Sequence, residues 1–186
     1  ELARELLATK KVAVIIGCAQ GSTPQKTHPV FITNPDDVEQ LVWNKYCFNN
    51  LSEYLNRPEI RAYGRMGIIS KGCDNKAIVG LLQEFQIEEK DIYIIGVVCE
   101  GMGEPEPLDK CRFCDVHTPV LYDELIGEQV DIQPEEGHFA DVEKIEQMSR
   151  EERWEFWQRE FEKCIRCYVC HEVCPEDAIM LVRKLF

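Results

Sequence analysis

The chain has 186 residues, ten cysteines and a formal net charge of −13. That length holds one medium domain, or a domain plus a small module. The acidic balance argues against nucleic acid and anionic membrane surfaces as partners, since both demand a basic face, and no run reaches the ~20 apolar residues of a membrane span.

From the N-terminus, ELARELLATKK reads as a short charged helix, and the β-branched run Lys11 to Gly17 reads as a buried strand. The apolar stretch Val12 to Ile16 is too short for a signal-peptide core and no small-residue cleavage site follows it, so a cytoplasmic protein is expected. Gly17 to Pro29 reads as a loop by its Gly, Ser and Pro content. Its opening, Gly17 to Ser22, leaves a strand as a phosphate or flavin loop would, but it lacks the G-x-G-x-x-G pattern and a Walker lysine. Asn34-Pro35-Asp36-Asp37 is a helix start, with Val38, Leu41, Val42 and Tyr46 as its apolar stripe and Cys47 at its end. Cys18 and Cys47 are expected as core thiols.

Met66 to Ser70 reads as a second strand. Asp74 caps a helix with the face Ala77, Ile78, Leu81, Leu82 and Phe85, and Ile92 to Val98 is a third strand. This alternation predicts an α/β fold, a small sheet domain with flanking helices, over residues 1–135. Residues 136–163 form a helical linker. There Ser149 and Glu152 make a capping box, and Trp154, Trp157 and Phe161 line one face of the helix leading to Cys164. Residues 164–186 form a separate ferredoxin-like 4Fe–4S module.

That module rests on Cys164, Cys167, Cys170, Cys174 and Pro175, spaced C-x2-C-x2-C-x3-C-P as in bacterial ferredoxins. Three thiolates two residues apart wrap a loop around one face of a cube, with peptide N–H groups turned toward sulfur. Pro175 suits the first turn of a following helix, and Ala178, Ile179 and Leu181 supply an apolar cover. Structural zinc uses two separated cysteine pairs rather than this compact run. Cys174 either ligates its own cube or reaches to a second one, as in two-cluster ferredoxins.

Ten cysteines in an exported chain would imply disulfides; without an export signal, metal binding or catalysis is the expected use. Cys73 and Cys99 each follow a strand, where open α/β sheets bind ligands, and Cys111-x-x-Cys114 follows on a loop able to fold over that edge. A helix N-terminus beside Cys73 favours an anionic cluster. The four therefore form a candidate second 4Fe–4S set. The other readings are a zinc site, a redox dithiol at Cys111 and Cys114, and core thiols at Cys73 and Cys99.

The stretches SKGCDNKAIVGLL, IIGVVCEGMG and KCRFCDVHTPVLYDELIGE, in that order over roughly residues 66–130, resemble the iron–sulfur core of the beta subunits of deazaflavin-coenzyme-dependent hydrogenases and formate dehydrogenases. The resemblance implies that Cys73, Cys99, Cys111 and Cys114 ligate a cluster, with Asp123 as a downstream acid that completes the site. Family members are longer and also bind a flavin and the deazaflavin coenzyme. The function expected here is therefore single-electron relay between two 4Fe–4S clusters and other subunits of an anaerobic redox complex, at low potential. Two rivals remain: a flavin-containing (FAD) catalytic beta subunit reducing a deazaflavin or nicotinamide coenzyme, and a free ferredoxin-like carrier. No Ser-His-Asp set or carboxylate pair points to other catalysis, and His28, His117, His138 and His171 have no paired spacing.

Overall fold

The computed structural model describes residues 1–130 and 132–172 and divides the chain into two compact units, 1–136 and 137–186. The first unit is a five-stranded sheet of order β2-β1-β3-β4-β5. Its strands are β1 (Val14–Gln20), β2 (Thr27–Ile32), β3 (Met66–Ser70), β4 (Ile92–Val97) and β5 (Glu124–Ile126). The first, third, fourth and fifth run parallel, and β2 pairs antiparallel with β1 at one edge.

Parallel strands covered on both faces read as continuous apolar runs, and alternate residues face opposite ways. Val14, Ile16, Met66, Ile68, Ile92 and Ile94 pack on one face with Ile78, Leu51 and Leu55. Ile15, Tyr93 and Ile95 pack on the other with Leu6, Leu7 and Val12. Helix α1 (Leu2–Ala8) carries Leu6 and Leu7 over that second face. A short turn, α2 (Pro58–Arg61), precedes β3, and α3 (Gly72–Gln83) connects β3 to β4. A one-turn helix, α4 (Asp109–Arg112), lies between β4 and β5.

Two stretches fold otherwise than their sequence predicts. Gly17 to Pro29 is mostly a hairpin: Gly17 pairs with Val30 and Gln20 with Thr27, and the Gln20 side-chain amide donates to Thr23 O and Lys26 O to close the turn. Peptide groups engaged in that ladder do not form a phosphate loop. After Asn34, whose Oδ1 accepts from Asp36 N, the chain makes only a 3-10 turn, Pro35–Gln40. The reason is competition for backbone donors. Val42 N goes to Cys18 O on β1, and Tyr46 N goes to the Asn44 side chain. Phe85 also leaves its predicted face: it follows the end of α3 at φ 57° and is 91% exposed.

The β3–α3 junction holds a buried ion pair. Lys71 Nζ lies 2.9 Å from Asp74 Oδ2, and the two side chains are 3% and 0% exposed. Asp74 also accepts from Lys71 N and Leu51 N, and Lys71 Nζ donates to Asn49 O. Burial pulls the Lys71 pKa down, but the charge and hydrogen bond of Asp74 outweigh it and the net shift is upward.

The second unit contains α5 (Ala140–Gln147), α6 (Arg150–Glu162) and a last turn, α7 (Val169–Glu172). Ser149 and Glu152 form the predicted capping box on α6. Trp154, Trp157 and Phe161 are exposed. No helix among the described residues is long and apolar enough to cross a membrane.

Lys71→Met leaves the Asp74 carboxylate buried without its partner and should destabilise the first unit by about 3–5 kcal/mol, most of which Lys71→Met with Asp74→Leu recovers. Because the folded lysine pKa is raised, the pair's contribution should be constant through neutral pH and fall only as pH rises above about 10.4, the ordinary lysine value. Denaturant unfolding across pH measures both.

Candidate metal centre

Strands β3 and β4 are in register with Ser70 opposite Gly96. Cys73 and Cys99 each follow three residues later, so the pairing carries them off the same sheet edge side by side. Cys73 lies in the first turn of α3, where unpaired N–H groups favour anions. Cys111 lies in α4 and Cys114 just beyond it. The chain from β4 to α4 turns at Gly101, φ 114°, and Leu108 N bonds back to Met102 O, which folds α4 over the sheet edge.

All four cysteines line one cavity of about 100 Å³. That is several times the ~10–15 Å³ needed for one buried water. Met102 and Val116 add apolar wall, and Lys71 and Lys110 add cationic groups. Cys73 is exposed at the mouth, and Cys99, Cys111 and Cys114 are half-buried. Met102 N donates to Cys111 Sγ at 3.4 Å.

The thiol pKa values at Cys73 and Cys99 are both raised, chiefly by loss of water around the sulfur, which at Cys73 is shielded by the cavity wall although the residue as a whole is exposed. Asp74 adds to the rise at Cys73 and Lys71 opposes it; at Cys99 the Gly101 N–H and Lys71 oppose it. Ligation at either sulfur must therefore displace a proton.

Among the described residues, no three His, Cys, Asp or Glu side chains close around a point tightly enough for a single ion. Four cysteines around an apolar-walled cavity, with a backbone N–H and ammonium groups nearby, form a donor set that would suit an anionic group.

Three side chains that the sequence did not single out as a site build this edge. His117 is 5% exposed; its Nδ1 lies 2.7 Å from Cys99 O and its Nε2 3.2 Å from Cys114 O. Lys71 lines the cavity from the buried pair. Asn75, fully buried, accepts from Val120 N and Leu121 N and donates to Leu121 O, which fastens the segment after Cys114 to α3. Only His117 left a signal in the sequence, its position three residues past Cys111-x-x-Cys114.

Asp123 is placed away from the cavity. Its Oδ2 accepts from Ile94 N in mid-β4 at 2.8 Å, and its own N donates to Ile94 O. It joins β4 to the chain before β5, and it does not complete the cysteine set.

In the second unit, α6 leads into Cys164, and Cys164, Cys167 and Cys170 are all exposed. Arg166 and Tyr168 adopt left-handed backbone, φ 58° and 61°, unusual for side chains of this size. That coil turns peptide groups toward sulfur, and Arg166 N donates to Cys164 Sγ at 3.4 Å. Cys174, with Pro175, Ala178, Ile179 and Leu181, lies outside the described residues.

Cys18 and Cys47 are both buried in the core and take no part in the cavity lining. They interact with each other. A hydrogen bond from Cys18 lowers the Cys47 pKa to about 6, while the same contact and burial push Cys18 up.

Asp123→Ala should leave iron content unchanged while lowering stability by about 1 kcal/mol, read by iron analysis and denaturant unfolding.

Residues 158–180 match the 4Fe–4S binding domain family. The F420-dependent formate dehydrogenase 1 subunit beta of Methanococcus maripaludis is 23% identical over 155 residues, which cover 81% of this chain and 37% of that protein. The chain thus spans little more than a third of that relative's length. A solved chain of the F420-reducing NiFe hydrogenase complex from Methanosarcina barkeri aligns at 17% identity with a TM-score of 0.45, over 54% of this chain and 37% of its own. The chain carries a 4Fe–4S binding domain near its C-terminus and, over most of its length, is similar to the beta subunit of an F420-dependent formate dehydrogenase.

Proposed function

We propose that the chain relays single electrons within a multi-subunit oxidoreductase and holds two 4Fe–4S clusters. Cys164, Cys167, Cys170 and Cys174 would ligate one, and Cys73, Cys99, Cys111 and Cys114 the other. The observation that carries the second assignment is the convergence of three separate segments, the ends of β3 and β4 and the α4 turn, on one cavity lined by four cysteines. Bound clusters would supply reversible one-electron chemistry, over a range of roughly −700 to +450 mV across known proteins.

The protein's part is to hold and tune. Apolar walls at Met102 and Val116 limit water at the sulfurs, which favours the less charged state. The Met102 N–H on Cys111 and the Lys71 ammonium act in the opposite sense to the strongly acidic chain, since both stabilise added negative charge. Cys73 is the exposed member of the set, so in this reading an electron would enter from its side.

A second reading has one observation of its own. A more open cleft of about 440 Å³ shares Cys99, Gly101 and Met102 with the cysteine cavity and is bounded by Trp43, Lys45 and Gly127. Its size falls within the ~300–1,000 Å³ range of small-molecule sites. A flavin seated there would make the chain part of a catalytic beta subunit acting on a deazaflavin or nicotinamide coenzyme. A yellow chromophore released on denaturing the anaerobically purified protein would support this reading; a colourless supernatant from iron-replete protein would count against it.

The relay reading predicts about eight irons and eight labile sulfides per chain after anaerobic purification. Cys111→Ser should lower both to about four and remove one of two EPR signals in the reduced protein. Unchanged iron in Cys111→Ser would remove this residue from the ligand set.

A further inference from the structure

The segment from Cys114 to His117 is wedged between the other two parts of the cysteine cavity. On one side Val116 O packs so closely on the first turn of α3 that a Cβ at Gly72 would collide with it. That turn carries Cys73. On the other side, His117 engages both backbone polar groups of Cys99. Cys99 N donates to His117 O at 2.9 Å, and His117 Nδ1 lies 2.7 Å from Cys99 O. The opposite ring nitrogen, Nε2, lies 3.2 Å from Cys114 O. A carbonyl oxygen can only accept, so a ring nitrogen meets either one by donating; a neutral ring carries one N–H and donates to one of the two, and only a protonated ring donates to both. The ring is rigid and 5% exposed, so in either form it stands as a spacer between the two carbonyls.

We propose that His117 is the positioning residue of this site: it holds Cys99 and Cys114 in fixed relation so that sulfurs from two separate segments face one cluster. This rests on the reading of Cys73, Cys99, Cys111 and Cys114 as cluster ligands. The role is carried by hydrogen bonds to ligand backbone, comparable to the outer contacts that orient metal ligands and whose loss lowers metal affinity roughly 10–100-fold. Because each ring nitrogen faces a carbonyl, His117 acts through the cysteines and not as a ligand itself. Simple packing makes a different prediction. Leucine fills an apolar space better than glutamine does, whereas glutamine keeps an N–H donor and leucine has none.

The test compares His117→Leu and His117→Gln in the full, anaerobically purified chain. One readout is the rate at which an added iron chelator strips the cluster whose EPR signal Cys111→Ser removes. The other is the line shape of that signal. His117→Leu should lose that cluster at least about 10-fold faster than wild type, with a changed line shape. His117→Gln should recover part of the difference, and the signal assigned to the C-terminal motif should be unchanged in both. A leucine variant with wild-type rate and signal overturns the assignment, and so does a glutamine variant no better than leucine. Should the leucine variant fail to fold, His117→Met takes its place; it too has no N–H donor and should also lose the cluster faster than glutamine. Wild-type protein with about four irons, unchanged by Cys111→Ser, overturns the reading of the site itself and His117 with it, an outcome distinct from eight irons and an indifferent His117.

Discussion

The candidate site depends on an ion pair sealed inside the protein at the end of β3. Lys71 and Asp74 are almost without exposure, and each spends its remaining bonding capacity on backbone: Asp74 on Lys71 N and Leu51 N, Lys71 on Asn49 O. Buried charges persist only when paired and fully hydrogen-bonded, so the arrangement has little freedom. It fixes the exit of β3, the first turn of α3 and the Asn49–Leu51 segment together. Cys73 sits between the two charged residues in sequence, and its direction follows from theirs. The same ammonium then lines the cysteine cavity, which gives one buried residue a structural and an electrostatic role.

From that fixed point the rest of the edge assembles by backbone pairing. The register of β3 with β4 brings Cys99 level with Cys73. Asn75, one residue past Asp74, fastens the Val120–Leu121 turn to α3, and His117 fastens the preceding residues to Cys99. The segment that follows the α4 turn and Cys114 is thus tied both to α3 and to the chain after β4. In a chain of charge −13, placing Lys71 and Lys110 at this cavity concentrates positive charge where an anionic cluster would sit.

Much of the fold was legible because buried parallel strands leave uninterrupted β-branched runs. The apolar runs mark Met66–Ser70 to the residue, and Ile92–Val97 within one. The α6 cap was equally plain, since Ser149 and Glu152 satisfy each other locally. Strand β2, THPVFI, was missed because its proline and histidine resemble loop and its alternation is weak, and β5 because three residues carry too little pattern. The helix expected after Asn34 failed because its donors had better partners across the sheet, which no local pattern records. At the site, the cysteines announced themselves by spacing. Asp123 was carried over from a family pattern and its carboxylate proved to be bonded to β4. The residues that hold the cysteines in place act through backbone contacts over long sequence separations, and these become visible only once the chain is folded.

The most direct test of the central claim uses the first unit alone. Residues 1–136, which form a compact unit without the C-terminal motif, should bind about four irons and four labile sulfides per chain and give a reduced-state EPR signal of their own. A folded unit that takes up one zinc, or no metal, under the same reconstitution would contradict it.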